Sequence, residues 1–590
     1  MKKLLIFFAF TSSAVMAQLP NYMTPEEQGM MNSYLISARN ITSPSTMINP
    51  PASPVRASAE WEEIDGLMVA WAGYTSILRE IVRAARLETQ VYIICGPQCN
   101  STDSTSIKNY LTSGSVPLSN IHFVYTGCNS IWSRDYGQWN IYTNDVDSLL
   151  LIDWIYNRPR PLDDVVPQTI ANVFSLPLYN MNQAPNDICA TGGNFMVDGF
   201  GTGFSSNLVV NENDGNGPYA ITYPNHTVPE IDSLMSHFMG LSRYIKMTTL
   251  LYDGIHHIDM HMKLLDEETL LIGQYANNAS DGPQIEANLQ YILSTFNSVY
   301  GTPYKVIRIV MPPDGSGAYP NQGGDYRTYT NSVFVNKTVI VPTYTQQYDT
   351  TALRIYREAL PGYTVTGVNC NSIIPASGAI HCITKEIAAS DPLLISHQPL
   401  DDTYDSVSPY QVDARIQHRS GITSAQIFYR TDTTQPYVSV PMAQTVNPMY
   451  WTGYIPAQPV GTRIYYYVHA SAVSGKQQVR PLPAPAGYWA FDILNPTSVP
   501  DNISEQIVLN EIFPNPSHGI TCIPVTTVKT MKGEITLHDI TGRKVLDIFS
   551  GTLKRGDNKF FLNSSGMPQG VYMVILTSEG LQSTAKLVIR

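Results

Sequence analysis

Charge is scarce in this 590-residue chain, where Asp, Glu, Lys and Arg make up only 14% of the residues. No run of Lys or Arg occurs, so the electrostatic footprint of a nucleic-acid binder is missing. The formal net charge of -12 is spread thinly. Acidity of that kind serves solubility and does not by itself name a cationic substrate. His-Glu-x-x-His and Cys-x-x-Cys spacings are absent too, so no zinc-type ligand set announces itself. Beyond the extreme N-terminus no stretch is long and apolar enough to span a membrane. Hydrophobic residues nevertheless make up 43%, enough to bury a sizeable core.

Lys2 and Lys3 precede an apolar stretch from Leu4 to Val15, and Ala17 stands before Gln18 with Val15 two positions earlier. A charged start, an apolar centre and small residues at a cleavage point read as a signal peptide over 1–17. The competing reading is a buried N-terminal helix. Seven cysteines occur, at 95, 99, 128, 189, 370, 382 and 522. In an exported chain most are expected to pair, and an odd count leaves at least one over. Cys95 and Cys99 are near enough in sequence to close a small loop around Gly96-Pro97.

Residues 18–50 are polar and irregular and read as a pro-segment or loosely attached arm. From 51 to 390, short apolar runs such as Leu67–Ala70, Val91–Cys95, Leu149–Ile152 and Val339–Val341 alternate with amphipathic stretches such as Thr75–Arg86 and Pro283–Phe296. Strands alternating with helices predict an α/β domain. Residues 391–495 are rich in aromatic and β-branched strand patterns and predict a small immunoglobulin-like sandwich, without the Cys–Trp–Cys framework of antibody domains. A linker over 496–507 precedes a last β module over 508–590. There Asp539–Gly542 reads as a hairpin turn, and Tyr572, Val574 and Leu576 share one strand face.

Four segments could carry chemistry. Cys382 lies in Ser377-Gly378-Ala379-Ile380-His381-Cys382, a small-residue loop running into a β-like segment, which puts a thiol at a strand start. Taken alone it reads as a buried or disulfide-bonded cysteine. Trp132-Ser133-Arg134-Asp135 sets a carboxylate beside an indole; a carboxylate can hold a guanidinium through two parallel hydrogen bonds, and an indole can pack on the planar cation. The bland reading is a surface Arg–Asp element with a core Trp. In His256–His261, a strand would put His257, Asp259 and His261 on one face. That suits proton transfer and substrate orientation, with a metal site or a structural histidine as alternatives. Gly192-Gly193, followed by Asp198, marks tight turns but lacks phosphate-loop spacing. A guanidinium is a poor electrophile. Carboxylates can fix it while a thiolate attacks its carbon and a histidine moves protons, splitting one hard hydrolysis into two steps.

These residues, with Tyr156-Asn157-Arg158-Pro159-Arg160 and Tyr329-Thr330-Asn331-Ser332, resemble the guanidine-modifying deiminases, and within them the bacterial peptidylarginine deiminases, over about 330 residues. The resemblance implies an α/β propeller (pentein) of five ββαβ-like units. It implies that Cys382 is the nucleophile, His257 the general acid/base, and Asp135 and Asp259 the guanidinium clamp. Asn331 would position the Cys loop or the substrate, Trp132 would pack on the substrate side chain, and Asp198 would contact its backbone. Arg158 and Arg160 would read the carboxylate of a C-terminal arginine; the alternative is that they brace a loop through Asp163 and Asp164. No cofactor or metal ligand is assigned: mammalian relatives need calcium, whereas the bacterial branch does not use it in catalysis, and a structural cation stays open. Pro514-Asn515-Pro516, Asp539–Arg543 and Gly570–Tyr572 resemble type IX secretion sorting domains of Bacteroidetes, implying that machinery as a partner and a secreted or cell-surface location reached through the periplasm. The expected product is peptidyl-citrulline plus ammonia, from peptide or protein arginine and a monomeric enzyme. An agmatine deiminase-like activity and a non-enzymatic adhesion protein are the rivals.

Overall fold

Five strand–helix–strand units fill residues 55–388 of the computed structural model, which describes residues 18–38, 47–96, 99, 103–215, 224–276, 279–495, 507–510, 512–517, 519–578 and 581–590. The expected signal peptide and most of the expected linker lie outside the described residues. The units are Ile64–Ala70/Thr75–Ala85/Gln90–Cys95, Leu149–Tyr156/Val166–Phe174/Leu178–Met181, Thr202–Ser206/Val228–Met239/Arg243–Met247, Thr269–Gln274/Gly282–Thr295/Lys305–Val310 and Thr338–Thr343/Gln346–Ala359/Thr364–Asn369. In each, the two strands pair in parallel across the helix, as a crossover connection requires.

Each unit also has a short antiparallel lead strand. These are Trp139–Thr143, Met196–Val197, Met262–Leu264, Val333–Val335 and, closing on the first unit from the far end of the domain, Lys385–Ala388. The local sequence explains the elements. Ile77, Leu78, Ile81, Val82 and Ala85 give helix Thr75–Ala85 one buried face, each large aliphatic side chain contributing roughly 1.5–3 kcal/mol on burial. Helix Val228–Met239 begins at a Thr227/Glu230 capping box and ends at Gly240, whose φ of 73° suits glycine.

Residues 18–38 depart from the expectation of a loose arm. Pro25–Ala38 is a helix whose Thr24 cap and Glu27 exchange hydrogen bonds, and Met31, Tyr34, Leu35 and Ala38 pack with Ile155 and Cys189. Cysteine usage departs as well. Cys99 is bonded to Cys128, their Cα atoms 4.9 Å apart, rather than to Cys95, which ends a buried strand. Cys95, Cys189, Cys370 and Cys382 are buried thiols, so the expectation that most cysteines pair is not met. Cys95, Cys189 and Cys370 pack in apolar cores as small hydrophobes.

The strands from Leu394–Ser396 to Trp489–Asp492 form one hydrogen-bonded sheet of eight, seven along one path and Trp489–Asp492 branching from Arg463–Ala472, around a core that includes Val412, Ile427, Tyr466 and Val468. The β-rich texture was expected. Val438–Gln444 joins the strands into one sheet by pairing with Ile422–Arg430 along one end and with Tyr450–Ile455 at the other. Arg480 donates to the Trp61 carbonyl at 3.1 Å, and Lys476 meets Glu63 at 2.8 Å, tying this region to the α/β units. The chain divides after Ile493 into a second compact unit. There Met531–Asp539 and Lys544–Leu553 form the expected hairpin, with Gly542 at φ 83°. Tyr572, Val574 and Leu576 face its core. No helix among the described residues is long and apolar enough to cross a membrane.

Candidate active site

The lead strands explain how residues nearly 250 positions apart meet. A few residues ahead of each lead strand the chain makes a tight turn, and each turn delivers one group to a common centre. Ser133–Tyr136 carries Asp135, Gly192–Asn194 carries Gly193, Ile258–Met260 carries Asp259, and His381–Ile383 carries Cys382. Asn331 comes from the segment before Val333. The segment 256–261 is therefore not the strand expected. His256 has φ 58°, a left-handed conformation incompatible with extended pairing, and the chain turns at Ile258–Met260.

Asn331 Nδ2 donates to Cys382 Sγ at 3.2 Å, and its Oδ1 accepts from the His381 backbone N–H at 3.0 Å. One amide thus fixes both the thiol and its loop. Cys382 Sγ lies 3.6 Å from Asp259 Oδ2. His257 Nδ1 is 3.6 Å from Asp135 Oδ1, which also accepts from the Gly193 N–H at 3.0 Å. Gly193 has a structural reason to be glycine: a Cβ there would stand 2.5 Å from His257 Nδ1, 2.9 Å from Asp135 Oδ1 and 3.1 Å from Asp259 Oδ2. Gly378 has one too, since a Cβ would meet Trp132 Cζ3 at 2.4 Å and Cys382 Cβ at 3.1 Å. Trp132 and the thiol therefore flank the same glycine.

All four reactive groups, Cys382, His257, Asp135 and Asp259, are 0% exposed. Asp135 Oδ2, Asp259 Oδ1 and both His257 ring nitrogens have no hydrogen-bond partner. Burial, with the Asp259 carboxylate next, lifts Asp135 to about 6. Burial, then the Arg158 charge, holds His257 well below its usual value. Burial, then Asp259 and Asp135, pushes the Cys382 thiol well up. Thiol and imidazole are thus both held toward neutrality, with Asp135 Oδ2 and Asp259 Oδ1 left open beside them.

A second cluster, which the sequence did not reveal, frames the first. His381 places Nδ1 2.8 Å from Asp259 Oδ2 and Nε2 2.8 Å from Glu60 Oε1. Lys263 Nζ reaches Glu60 at 2.6 Å, and Arg134 pairs with Glu386 at 2.7 Å. Burial would raise Glu60, but the His381 and Lys263 charges hold it well below the carboxylate range. Glu386 sits at about 2 against the same penalty, because of Arg134 and Lys385. Arg134 is thus fully buried rather than a surface element. His381 was signalled only by its place next to Cys382; Ala59-Glu60-Trp61 belongs to the family resemblance, but no role was assigned to Glu60.

The other expected residues lie differently. Asp198 Oδ1 accepts from the N–H groups of Phe200 and Thr202 at 2.7 and 2.9 Å, so it closes its own turn, while Oδ2 has no hydrogen-bond partner. His261 is buried with no ring partner, and burial lowers it to about 4. Among the described residues no group of three or more His, Cys, Asp or Glu side chains could hold a metal ion. Of the Arg158–Arg160 pair, the Arg160 carbonyl accepts from the Asp163 and Asp164 N–H groups, and the Arg160 charge works against the burial that raises Asp163, but the two aspartate side chains take their hydrogen bonds elsewhere. Asp163 accepts from Asn129 and Ser130, and Asp164 from the Tyr156 N–H. The two guanidinium groups turn instead to the N-terminal arm. Arg158 Nε donates to the Asn21 carbonyl at 3.0 Å, and Arg160 donates to Glu27 at 2.7 and 3.2 Å.

Residues 54–387 match the sequence profile of the Porphyromonas-type peptidyl-arginine deiminases. The chain belongs to this family. It is a hydrolase of guanidino carbon–nitrogen bonds. A Vibrio parahaemolyticus protein named "Putative agmatine deiminase" is 21% identical over 369 residues, 56% of this chain and 96% of that protein. A Lactococcus lactis protein of the same name is 25% identical over 288 residues, 44% of this chain and 74% of that one. The X-ray structure of a "putative agmatine deiminase", 19% identical, matches with a TM-score of 0.50 over 58% of this chain and 99% of that one, a likeness of fold. Residues 511–590 match the secretion system C-terminal sorting domain, so this deiminase carries the type IX export address and is a secreted or cell-surface protein.

Proposed function

We propose that the deiminase converts the C-terminal arginine of peptides or proteins to citrulline, releasing ammonia. The observation that carries this reading is the buried polar cage beside Cys382, in which one oxygen each of Asp135 and Asp259 and both ring nitrogens of His257 have no hydrogen-bond partner. A planar cation supplies those partners. Asp135 and Asp259 accept from the guanidinium nitrogens, and the cation between them offsets the charge that disfavours the thiolate. Cys382 Sγ then attacks the central carbon while its proton passes to neutral His257. The carbon–nitrogen bond breaks and ammonia leaves with the proton that His257 held. Water, deprotonated by His257, attacks the S-alkylthiouronium, and the carbon–sulfur bond breaks to release citrulline. No cofactor or metal enters these steps.

Trp132 packs on the side-chain methylenes, and Arg158 and Arg160 take the α-carboxylate by bidentate pairing. Asp198 keeps a secondary place, facing the peptide backbone through its unpartnered Oδ2. Within the same reading the five units form an α/β propeller about a pseudo-fivefold axis, followed by an immunoglobulin-like domain, in a monomer. The names of the curated relatives favour a second substrate, agmatine. Incubation with agmatine, free arginine, and peptides with terminal or internal arginine separates the two, with ammonia measured and citrulline located by mass spectrometry. Peptides ending in arginine are expected to react fastest. Reaction of agmatine alone would overturn the peptide reading.

A further inference from the structure

The fully buried reactive groups pose a difficulty, because a substrate arginine must reach them. The chain's own N-terminal arm lies against residues beside them, Trp132, Arg158 and the loop that leads into Cys382. Trp132 Nε1 donates to the Leu19 carbonyl at 2.9 Å, Arg160 Nη2 to the Pro20 carbonyl at 2.7 Å and Arg158 Nε to the Asn21 carbonyl at 3.0 Å. The Asn21 N–H donates to the Ala376 carbonyl at 2.8 Å, in the loop that leads into Cys382. Three consecutive arm carbonyls are therefore read by the three side chains that border the cage, and the arm's N–H is read by the thiol loop. Asn21 is itself completely buried, and both atoms of its side-chain amide lack a partner.

Glu27 completes the arrangement. Its carboxylate meets Arg160 fork to fork, Oε1 with Nε at 2.7 Å and Oε2 with Nη2 at 3.2 Å. The same oxygen accepts from the Thr24 N–H at 2.9 Å. The carboxylate that holds Arg160 thus also caps helix Pro25–Ala38, so helix formation and docking reinforce each other. Met31, Tyr34, Leu35 and Ala38 anchor the helix on Ile155 and Cys189.

We propose that residues 18–38 are an intramolecular inhibitor that docks as a substrate-like peptide. Leu19–Asn21 occupies the backbone track beside the cage, Glu27 occupies the Arg160 guanidinium, and the enzyme is latent until the arm is cut or displaced. The proposal rests on the reading that the Cys382 cage receives the substrate guanidinium. It adds regulation of that site by a segment of the same chain, and it indicates that the site accepts an extended peptide main chain.

The test keeps the full chain. A recognition sequence for a specific protease is inserted between Ala38 and Met47, so that the arm can be severed after folding. Two rates are followed before and after cleavage and removal of the arm: ammonia release from peptides ending in arginine, and alkylation of Cys382 by iodoacetamide, read by mass spectrometry. Both are expected to rise roughly ten-fold or more, since an arm open a tenth of the time reduces apparent reactivity by that factor. A synthetic 18–38 peptide is expected to reverse both. Glu27→Gln in the uncut chain is expected to raise both several-fold. Equal rates before and after cleavage overturn the proposal, and so does a Cys382 that alkylates in neither state. Faster alkylation with no guanidine hydrolysed keeps the cover and defeats the substrate reading. Fast turnover unchanged by cleavage does the opposite.

Discussion

Two buried polar clusters share the catalytic domain and differ in how their charges are met. In the frame, Arg134 pairs with Glu386, and Lys263 and His381 with Glu60. Its acids are held ionised against burial. In the cage, a few ångströms away through His381, Asp135 is pushed to about 6 and His257 and Cys382 are pushed toward neutrality. A folded protein tolerates unmatched buried groups only where something else supplies the partner. The frame has its charges matched within the fold, whereas the cage keeps open atoms that the proposed guanidinium would complete.

The largest effect should come from the cage. Cys382→Ala is expected to lower turnover by roughly 10⁴-fold or more, because both chemical steps pass through the sulfur. Thermal melting should change little, since the lost contacts are few. Full turnover in Cys382→Ala would end the covalent reading. The frame should behave in the opposite way. Arg134→Met takes from buried Glu386 its nearer partner and leaves only Lys385, 3.5 Å away, at a cost of about 3 kcal/mol. That should appear as a large fall in melting temperature and in soluble yield. Arg134→Met combined with Glu386→Leu should recover much of it, because an apolar pair of similar size replaces the ion pair. If the single and double variants melt alike, the two residues are not acting as a pair.

The sequence carried unequal information about the two clusters. Cys382, His257, Asp135, Asp259 and Asn331 were legible because the chemistry of a guanidinium restricts which side chains can hold and attack it, and the family resemblance fixed their order. The frame was not legible, since Glu60, Lys263, Arg134 and Glu386 come from four distant segments and only the fold makes them neighbours. The alternation of strand and helix was read correctly from runs such as Leu67–Ala70 and Thr75–Arg86. The repeated lead strands escaped periodicity because Met196–Val197 has two residues and Met262–Leu264 three, too short to alternate. The docked arm escaped for a different reason. Its helix Pro25–Ala38 has little apolar asymmetry and is specified by contacts with Arg158, Arg160 and Ile155 far along the chain.

Asp135 offers a smaller effect that sets stability against activity. Its carboxyl is raised in the fold to about 6 from the ordinary 3.8. The folded state therefore binds the proton more tightly than the unfolded chain does between those values. Stability is lost as pH rises through that window, and the loss is complete above it. Asp135→Asn keeps the shape and removes the charge. It is expected to raise stability at pH 7 by about 1–3 kcal/mol, while turnover falls roughly 10²-fold or more because one side of the clamp no longer draws in the cation. A variant that is both less stable and less active would place Asp135 in the frame rather than the cage.

The smallest effect concerns the thiol itself. Burial first, then Asp259 and Asp135, raise Cys382. Thiolate should therefore appear only as pH climbs past the ordinary thiol value of about 8.5. With the arm severed and no substrate present, the alkylation rate of Cys382 should still be rising at that pH. Asp135→Asn removes one of the two opposing charges, so its alkylation curve should shift to lower pH by roughly half a unit to one unit. At neutral pH the variant should then alkylate faster than the native enzyme and yet turn over peptide arginine more slowly. That divergence separates a carboxylate that activates the thiol from one that opposes it until a guanidinium arrives. An alkylation curve unmoved by Asp135→Asn would mean that burial alone sets the thiol, and that the cation's part in ionising it must come through Asp259.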